Sequence, residues 1–323
     1  MKLLKMVQKV PGGLMVVPLL LGSLISLFFP NLLKVGGLTT ATFATGASSF
    51  IGCSLFCVGS QINIIELGTP IKRSIVLLIA KFCAGFIPTL IVSTLFGPDG
   101  VLGITPLMLL AAVTNSNGGL YLGLMAEYGD ENDLAAQSLL GINDGPFLTL
   151  LGMGLAGLAN FDIVALLASI GPLLVGIVLG NLDRDIAAFF KPGIGMTIPF
   201  LAFCLGTGVN LTNIAKGGAV GIALGLLTIV LSFLFVVSAD KFILRRPGYA
   251  GAALCTAAGN AVATPAILGE VSPNLLPQVP EATTAVAAAV IVTVILVPVV
   301  TSFAAKKWGC PRYDREAKET PRG

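Results

Sequence analysis

The chain has 323 residues, 55% of them hydrophobic and only 11% charged, with 39 glycines, a formal charge of +3 and no histidine. Soluble domains carry roughly 25% charged residues, so this composition cannot supply a water-facing surface and reads as an all-α polytopic membrane protein. The missing histidine excludes a Ser-His-Asp triad, an HExxH zinc helix and an imidazole proton relay, and the chain reads as no enzyme.

The first residues, Met1–Val10, set Lys2, Lys5 and Lys9 against Leu3, Leu4, Met6 and Val7, the pattern of an interfacial helix. A helix needs about 20 mostly apolar residues to cross the hydrocarbon core. Breaks at charged or Pro/Asn-rich points then give ten spans, near 12–29, 38–60, 74–96, 104–126, 134–158, 163–180, 194–212, 217–238, 249–270 and 281–303. Period-two alternation is absent, which argues against a sheet barrel. The six cysteines have no metal-like spacing and read as small packing hydrophobes.

Ten spans place Lys2, Lys5, Lys9, Lys72, Arg73, Arg184, Lys191, Lys241, Arg245, Arg246, Lys306, Lys307, Arg312, Arg315, Lys318 and Arg322 on one side, and only Lys34 and Lys216 on the other. By the positive-inside rule both termini are cytoplasmic.

The two halves repeat in order. Pro18–Gly22 recurs as Pro172–Gly176, Phe56–Asn63 as Phe203–Asn210, and Asn117 with Glu127 as Asn260 with Glu270. Each half holds five spans, so the second enters the membrane from the opposite face. Residues 1–158 and 159–303 are therefore expected to form inverted repeats, followed by a cytoplasmic tail, 304–323. Inverted repeats are a common way for secondary transporters to build a midplane site.

Span four is interrupted by Thr114-Asn115-Ser116-Asn117-Gly118-Gly119, and span nine by polar and helix-breaking residues from Thr256 to Pro265. Backbone freed at such breaks needs partners or a wet cavity, and half-helix ends offer N–H groups to anions and carbonyls to cations. Asn115, Ser116, Asn117, Gly118, Gly119, Asn260 and Thr264 are the candidate substrate ligands, with Tyr121 beyond the break placed to bond a sugar hydroxyl. Asp144, in the mid-span run Gly141-Ile142-Asn143-Asp144-Gly145-Pro146, is an expensive charge and the candidate proton carrier. Asn143, Gln61, Asn210 and Thr256 are further candidates for an ion site; capping is the alternative for Gln61 and Asn210. Lys81 either pairs with Asp144 or snorkels to the cytoplasmic face. Glu127–Asp133 reads as a solvated loop.

VPGGLMVVPLLLG near the start, NGGLYLGL in span four, GNLD at 180–183, IPFLAFCLG in span seven, and AVATPAI followed by AVIVTVILVP resemble the 2-keto-3-deoxygluconate permease family over residues 9–302. The resemblance implies a bacterial inner-membrane carrier importing this sugar acid by proton symport. It also implies kinship with bile-acid/sodium symporters, in which broken helices four and nine cross. Spans three to five and eight to ten would then form a core, and spans one, two, six and seven a panel. No cofactor is expected beyond the coupling ion, a proton or alternatively sodium. The partners expected are the substrate and the bilayer, with no nucleic acid and no obligatory protein. A sodium-coupled organic-anion symporter of the same fold is the alternative; an intramembrane enzyme or passive channel fits less well.

Overall fold

Lipid offers the backbone no hydrogen-bond partners, so an apolar chain of this kind must satisfy them within helices. The computed structural model describes residues 3–9, 13–63, 70–144, 146–158, 163–207 and 211–313. Among these, the extended pairing is an isolated bridge between Val101 and Ile104.

The helices in chain order are α1 (Leu3–Lys9), α2 (Gly13–Phe28), α3 (Gly37–Phe43), α4 (Ala47–Gln61), α5 (Pro70–Phe96), α6 (Pro106–Val113), α7 (Gly118–Tyr128), α8 (Glu131–Leu140), α9 (Phe147–Leu155), α10 (Ile163–Leu182), α11 (Arg184–Thr207), α12 (Leu211–Ser232), α13 (Tyr249–Ala253), α14 (Thr264–Val271) and α15 (Val279–Trp308). Among the described residues, four helices are long and apolar enough to cross a membrane alone: Pro70–Phe96, Arg184–Cys204, Gly218–Ile243 and Pro273–Trp308. Helices α3 and α4 make a fifth candidate, bent by 57°.

Three differences from the sequence expectation matter. The segment 134–158 is not one helix: α8 ends in a 3₁₀ turn, Gly141–Asp144, before α9 begins. Gly141, Gly145 and Pro146 offer poor helical continuity there. Next, α11 starts ten residues before residue 194, at Arg184, with Pro192 inside it. Third, α12 runs on through π turns at Phe233–Val237 and Ala239–Ile243.

The helices pack in two groups. In one, α2 lies on α11, and α4 lies on both α10 and α11. The backbones touch there: a side-chain carbon added at Gly22 would stand 2.2 Å from the Phe203 carbonyl oxygen, and one at Gly176 2.2 Å from that of Phe56. In the other, α12 lies along α15, and α5 packs on α6 and α8. Here α6 is buried along its whole length.

The stretch Glu127–Asp133 is not a solvated loop. Asp130 and Asp133 form a reciprocal capping box that starts α8. Asp133 is fully buried and accepts from Arg73 at 3.0 Å, Arg246 at 2.5 Å and the Tyr249 hydroxyl at 2.7 Å. One carboxylate thus joins α5, α8, the segment after α12, and α13. Burial works to raise the Asp130 carboxyl, but its hydrogen bonds from Arg73 and the Asp133 N–H hold it below the usual carboxylate range. That contribution is complete at neutral pH and is lost as pH falls through the lowered value. Asp133→Ala would leave two arginines without their shared anion, and breaking a buried pair costs about 3–5 kcal/mol. A clear fall in the melting temperature of detergent-purified protein is expected; an unchanged melt would show that the cluster adds nothing.

Candidate functional site

Helix α6 begins with Thr105, whose hydroxyl accepts from the Met108 N–H at 3.2 Å, and with Pro106 in its first turn. It stops at Thr114. From Thr114 to Asn117 the chain is not helical, and side chains take over the freed groups. Asn115 donates to the Ala111 carbonyl at 2.7 Å and to the Thr149 hydroxyl at 3.1 Å. Ser116 accepts from Asn143 Nδ2 at 2.9 Å. Asn117 then restarts the helix: its Oδ1 accepts from the Leu120 N–H at 2.9 Å, a standard N-cap bond.

Gly118 and Gly119 therefore belong to the first turn of α7 and do not unwind it, a correction to their expected role as breakers. The polar run before them breaks the helix. Without side chains, the first turn of α7 stays open at Gly119, which is exposed.

The second break follows α13, from Leu254 to Ala258, and leads into a 3₁₀ turn, Gly259–Ala263, before α14. The two breaks meet directly: the Asn117 N–H donates to Thr256 Oγ1 at 2.8 Å.

Beside this junction lies a cleft of about 430 Å³ between the two helix groups. Gln61 of α4 and Lys191 of α11 line one wall. Gly118 and Gly119 of α7, Gln137 of α8, and Asn260 line the other, with Leu122, Leu134 and Ile194 adding apolar surface. The size suits a small-molecule site. A helix N-terminus, a lysine and three amides facing one space form a setting for a polyhydroxylated carboxylate.

A sequence pattern decides the family. The pattern of the 2-keto-3-deoxygluconate permease family matches residues 4–310. The chain belongs to that family. It is 43% identical over 307 residues to 2-keto-3-deoxygluconate permease 1 of Salmonella typhimurium, covering 95% of this chain and 96% of that protein. It is 38% identical over 312 residues to the 2-keto-3-deoxygluconate permease of Escherichia coli O157:H7, covering 95% of each. This family member is a membrane permease, not an enzyme.

Within the permease, the sequence candidates divide by position. Gly118, Gly119, Gln61 and Asn260 face the cleft. Asn115, Ser116 and Asn143 are buried behind it, with Oδ1 of Asn115 and of Asn143 lacking a protein partner. Thr264 is buried at the start of α14 with its hydroxyl unpartnered. Thr256 is the joint between the breaks.

Tyr121 is corrected: it has no exposed surface and its hydroxyl donates to the Asp133 carbonyl at 3.1 Å. Helical rotation turns it toward the interior, away from the face of α7 that carries Leu122. Asp144 closes the 3₁₀ turn, but its side chain lies outside the described residues, as does all of Asn210. Lys81 does not snorkel. It has no exposed surface, and its ammonium donates to Ser232 Oγ at 2.7 Å and to the Thr256 carbonyl at 2.9 Å.

Sequence reasoning missed Lys191 and Gln137. Lys191 stood in an expected loop because Lys191-Pro192-Gly193 resembles a turn. The available signal was Asp183 ahead of Arg184, which accepts from the Asp185 N–H at 2.8 Å and marks a helix start well before Lys191. Gln137 lies one turn before Gly141, which also lines the cleft.

Proposed function

We propose that this permease imports 2-keto-3-deoxygluconate, or a closely similar sugar acid, by proton symport with alternating access. The observation that carries the reading is the cleft at the N-terminus of α7, which Gly118, Gly119 and Lys191 line together. In this reading the carboxylate sits against Gly118 and Gly119, and Gln61, Gln137 and Asn260 take the hydroxyls. Asn115, Ser116, Asn117, Asn143 and Thr264 hold the breaks in shape around it.

The protein resides in the bacterial inner membrane with both termini cytoplasmic. The cleft is lined by the C-terminal end of α4 and by α8 and the N-terminal half of α11, helices whose near ends the positive-inside rule assigns to the cytoplasm. This conformation is therefore inward-facing. Ten spans form two inverted repeats, 1–158 and 159–303. The paired contacts support this: Gly22 packs on Phe203, and its repeat counterpart Gly176 on Phe56, the counterpart of Phe203. The group containing α5, α12 and α15 is the moving core, and α2, α4, α10 and α11 form the panel.

An anion entering a cell works against the inside-negative potential by about 2.3 kcal/mol per charge per 100 mV. One co-transported proton removes that opposition. Two ionisable groups belong to the membrane-spanning region near the breaks, Asp144 at the end of a 3₁₀ turn and Lys81 in mid-α5 with its ammonium on the Thr256 carbonyl, and either chemistry can carry a proton. A second reading, with sodium as the coupling ion, draws on the unpartnered Asn115 and Asn143 oxygens, which are cation ligands by type.

Uptake by proteoliposomes tests both. Accumulation above the outside concentration is expected under an inward proton gradient without sodium. Accumulation only under a sodium gradient would replace the proton, and flux that never exceeds equilibration would make the protein a passive channel.

A further inference from the structure

Lys81 is fully buried in mid-membrane, and its described polar contacts are Ser232 Oγ and the Thr256 carbonyl. An intramembrane ammonium is costly and is a functional signal by default. Structural lysines in such settings pair with carboxylates; among the described residues, Lys81 has no ion pair. Asp133 and Asp240, the buried acids on elements packed against α5, are engaged by Arg73 and Arg246, with Asp240 also accepting from the Gly251 N–H at 2.9 Å. Cys255, next to Thr256, directs its thiol at the Gly251 carbonyl at 3.5 Å. Glu131 of α8 is exposed, and α6 and α9 carry no titratable residue. On α5 itself, Arg73 belongs to the Asp133 cluster, Lys72 is exposed, and Cys83 is a half-buried thiol.

The two partners are suited to both protonation states. A serine hydroxyl accepts from an ammonium and, by rotation, donates to the lone pair of a neutral amine. A carbonyl accepts an N–H from either form. Ser232 also directly precedes the π turn of α12, and π turns occur frequently at functional sites. Thr256 links this lysine to the cleft: its carbonyl takes Lys81 while its hydroxyl takes the Asn117 N–H that starts α7.

We propose that Lys81 carries the co-transported proton, and that Thr256 transmits its charge state to the substrate-binding end of α7. This rests on the sugar-acid reading above and assigns the proton within it. The step is a simple transfer: in the outward-open state water supplies a proton to the Lys81 amine as substrate binds, and in the inward-open state the ammonium returns it to water after substrate leaves on the cytoplasmic side.

Calorimetry of 2-keto-3-deoxygluconate binding to the purified protein, in buffers of different ionisation heat near neutral pH, measures proton uptake on binding. Wild type is expected to take up a proton with each substrate. Lys81→Gln and Lys81→Arg are expected to take up none, arginine because it stays charged throughout. Ser232→Ala, which keeps the amine, is expected to keep the uptake and shift its pH midpoint. Proton uptake by Lys81→Arg equal to wild type overturns the proposal. Loss of uptake in Asp144→Asn while Lys81→Arg retains it assigns the proton to Asp144 instead.

A substrate-free measurement covers variants that fold poorly and keeps the two readings apart. Across a pH titration, wild-type melting should contain a pH-dependent component that Lys81→Arg lacks. Parallel curves overturn the proposal whether or not substrate binds. Failure of wild type to bind the sugar acid, with the curves still diverging, would sink the substrate reading and leave the titrating lysine standing.

Discussion

Gly119→Leu is expected to weaken sugar-acid binding strongly while leaving the protein as stable as wild type. Gly119 is exposed in the first turn of α7 and lines the cleft. The nearest atom to an added side-chain carbon is Asn117 Oδ1 at 3.5 Å, an ordinary contact. Leucine is also the better helix former, so the local fold gains where the site loses. Its isobutyl group covers the α7 N–H groups and fills space opposite Lys191. Losing charge-assisted hydrogen bonds costs about 1.5–3 kcal/mol, which is about 10- to 100-fold in affinity. Substrate titration of the purified variant, alongside its melting curve, reads both effects. Wild-type affinity in a well-folded Gly119→Leu protein would move the substrate away from α7.

Hydropathy located the long helices because a lipid-facing surface forces an uninterrupted apolar run; α5 and α15 lie over the expected segments 74–96 and 281–303. The polar run Thr114–Asn117 marked a break for the same reason, since its side chains must replace lost backbone bonds. Which residues unwind and which restart the helix was less legible. Asn117 as a cap and Gly118 as a first helical residue differ only in where one side chain turns.

Long-range pairing was not legible at all. Asp133 belongs to a polar stretch in sequence, and only the fold brings Arg73 and Arg246 to it from positions 60 and 113 residues away. Lys81 is similar: its acceptors Ser232 and Thr256 lie 151 and 175 residues on, so local sequence suggested pairing with Asp144 or snorkelling. Lys191 was obscured by Pro192. Proline usually ends a helix, but within a membrane bundle its neighbours can satisfy the backbone groups it frees.

The second large effect concerns the scaffold. Gly176→Leu is expected to disrupt the packing of α10 on α4, because the added carbon would stand 2.2 Å from the Phe56 carbonyl oxygen and 2.9 Å from the Ser60 nitrogen. A backbone oxygen cannot swing aside as a side chain can, so the helices must separate. Gly180, one turn on, makes the same approach to Ser60 at 2.1 Å; together they form a small-xxx-small face of the kind that lets membrane helices touch. Overpacking a tight contact typically costs about 1–3 kcal/mol, and separation along two turns exceeds a single strained rotamer. Gly171→Leu, on the same helix with nothing within 4 Å, is the control and should melt like wild type. Gly22→Leu should fail as Gly176→Leu does, because its carbon meets the Phe203 carbonyl oxygen at the same 2.2 Å. Matching losses at Gly22 and Gly176 would show that the sequence repeat is also an energetic one, each half supplying a glycine to the other half's helix. If Gly176→Leu melts with the Gly171→Leu control, the two backbones are not in contact, and the panel cannot be the rigid frame against which the core moves.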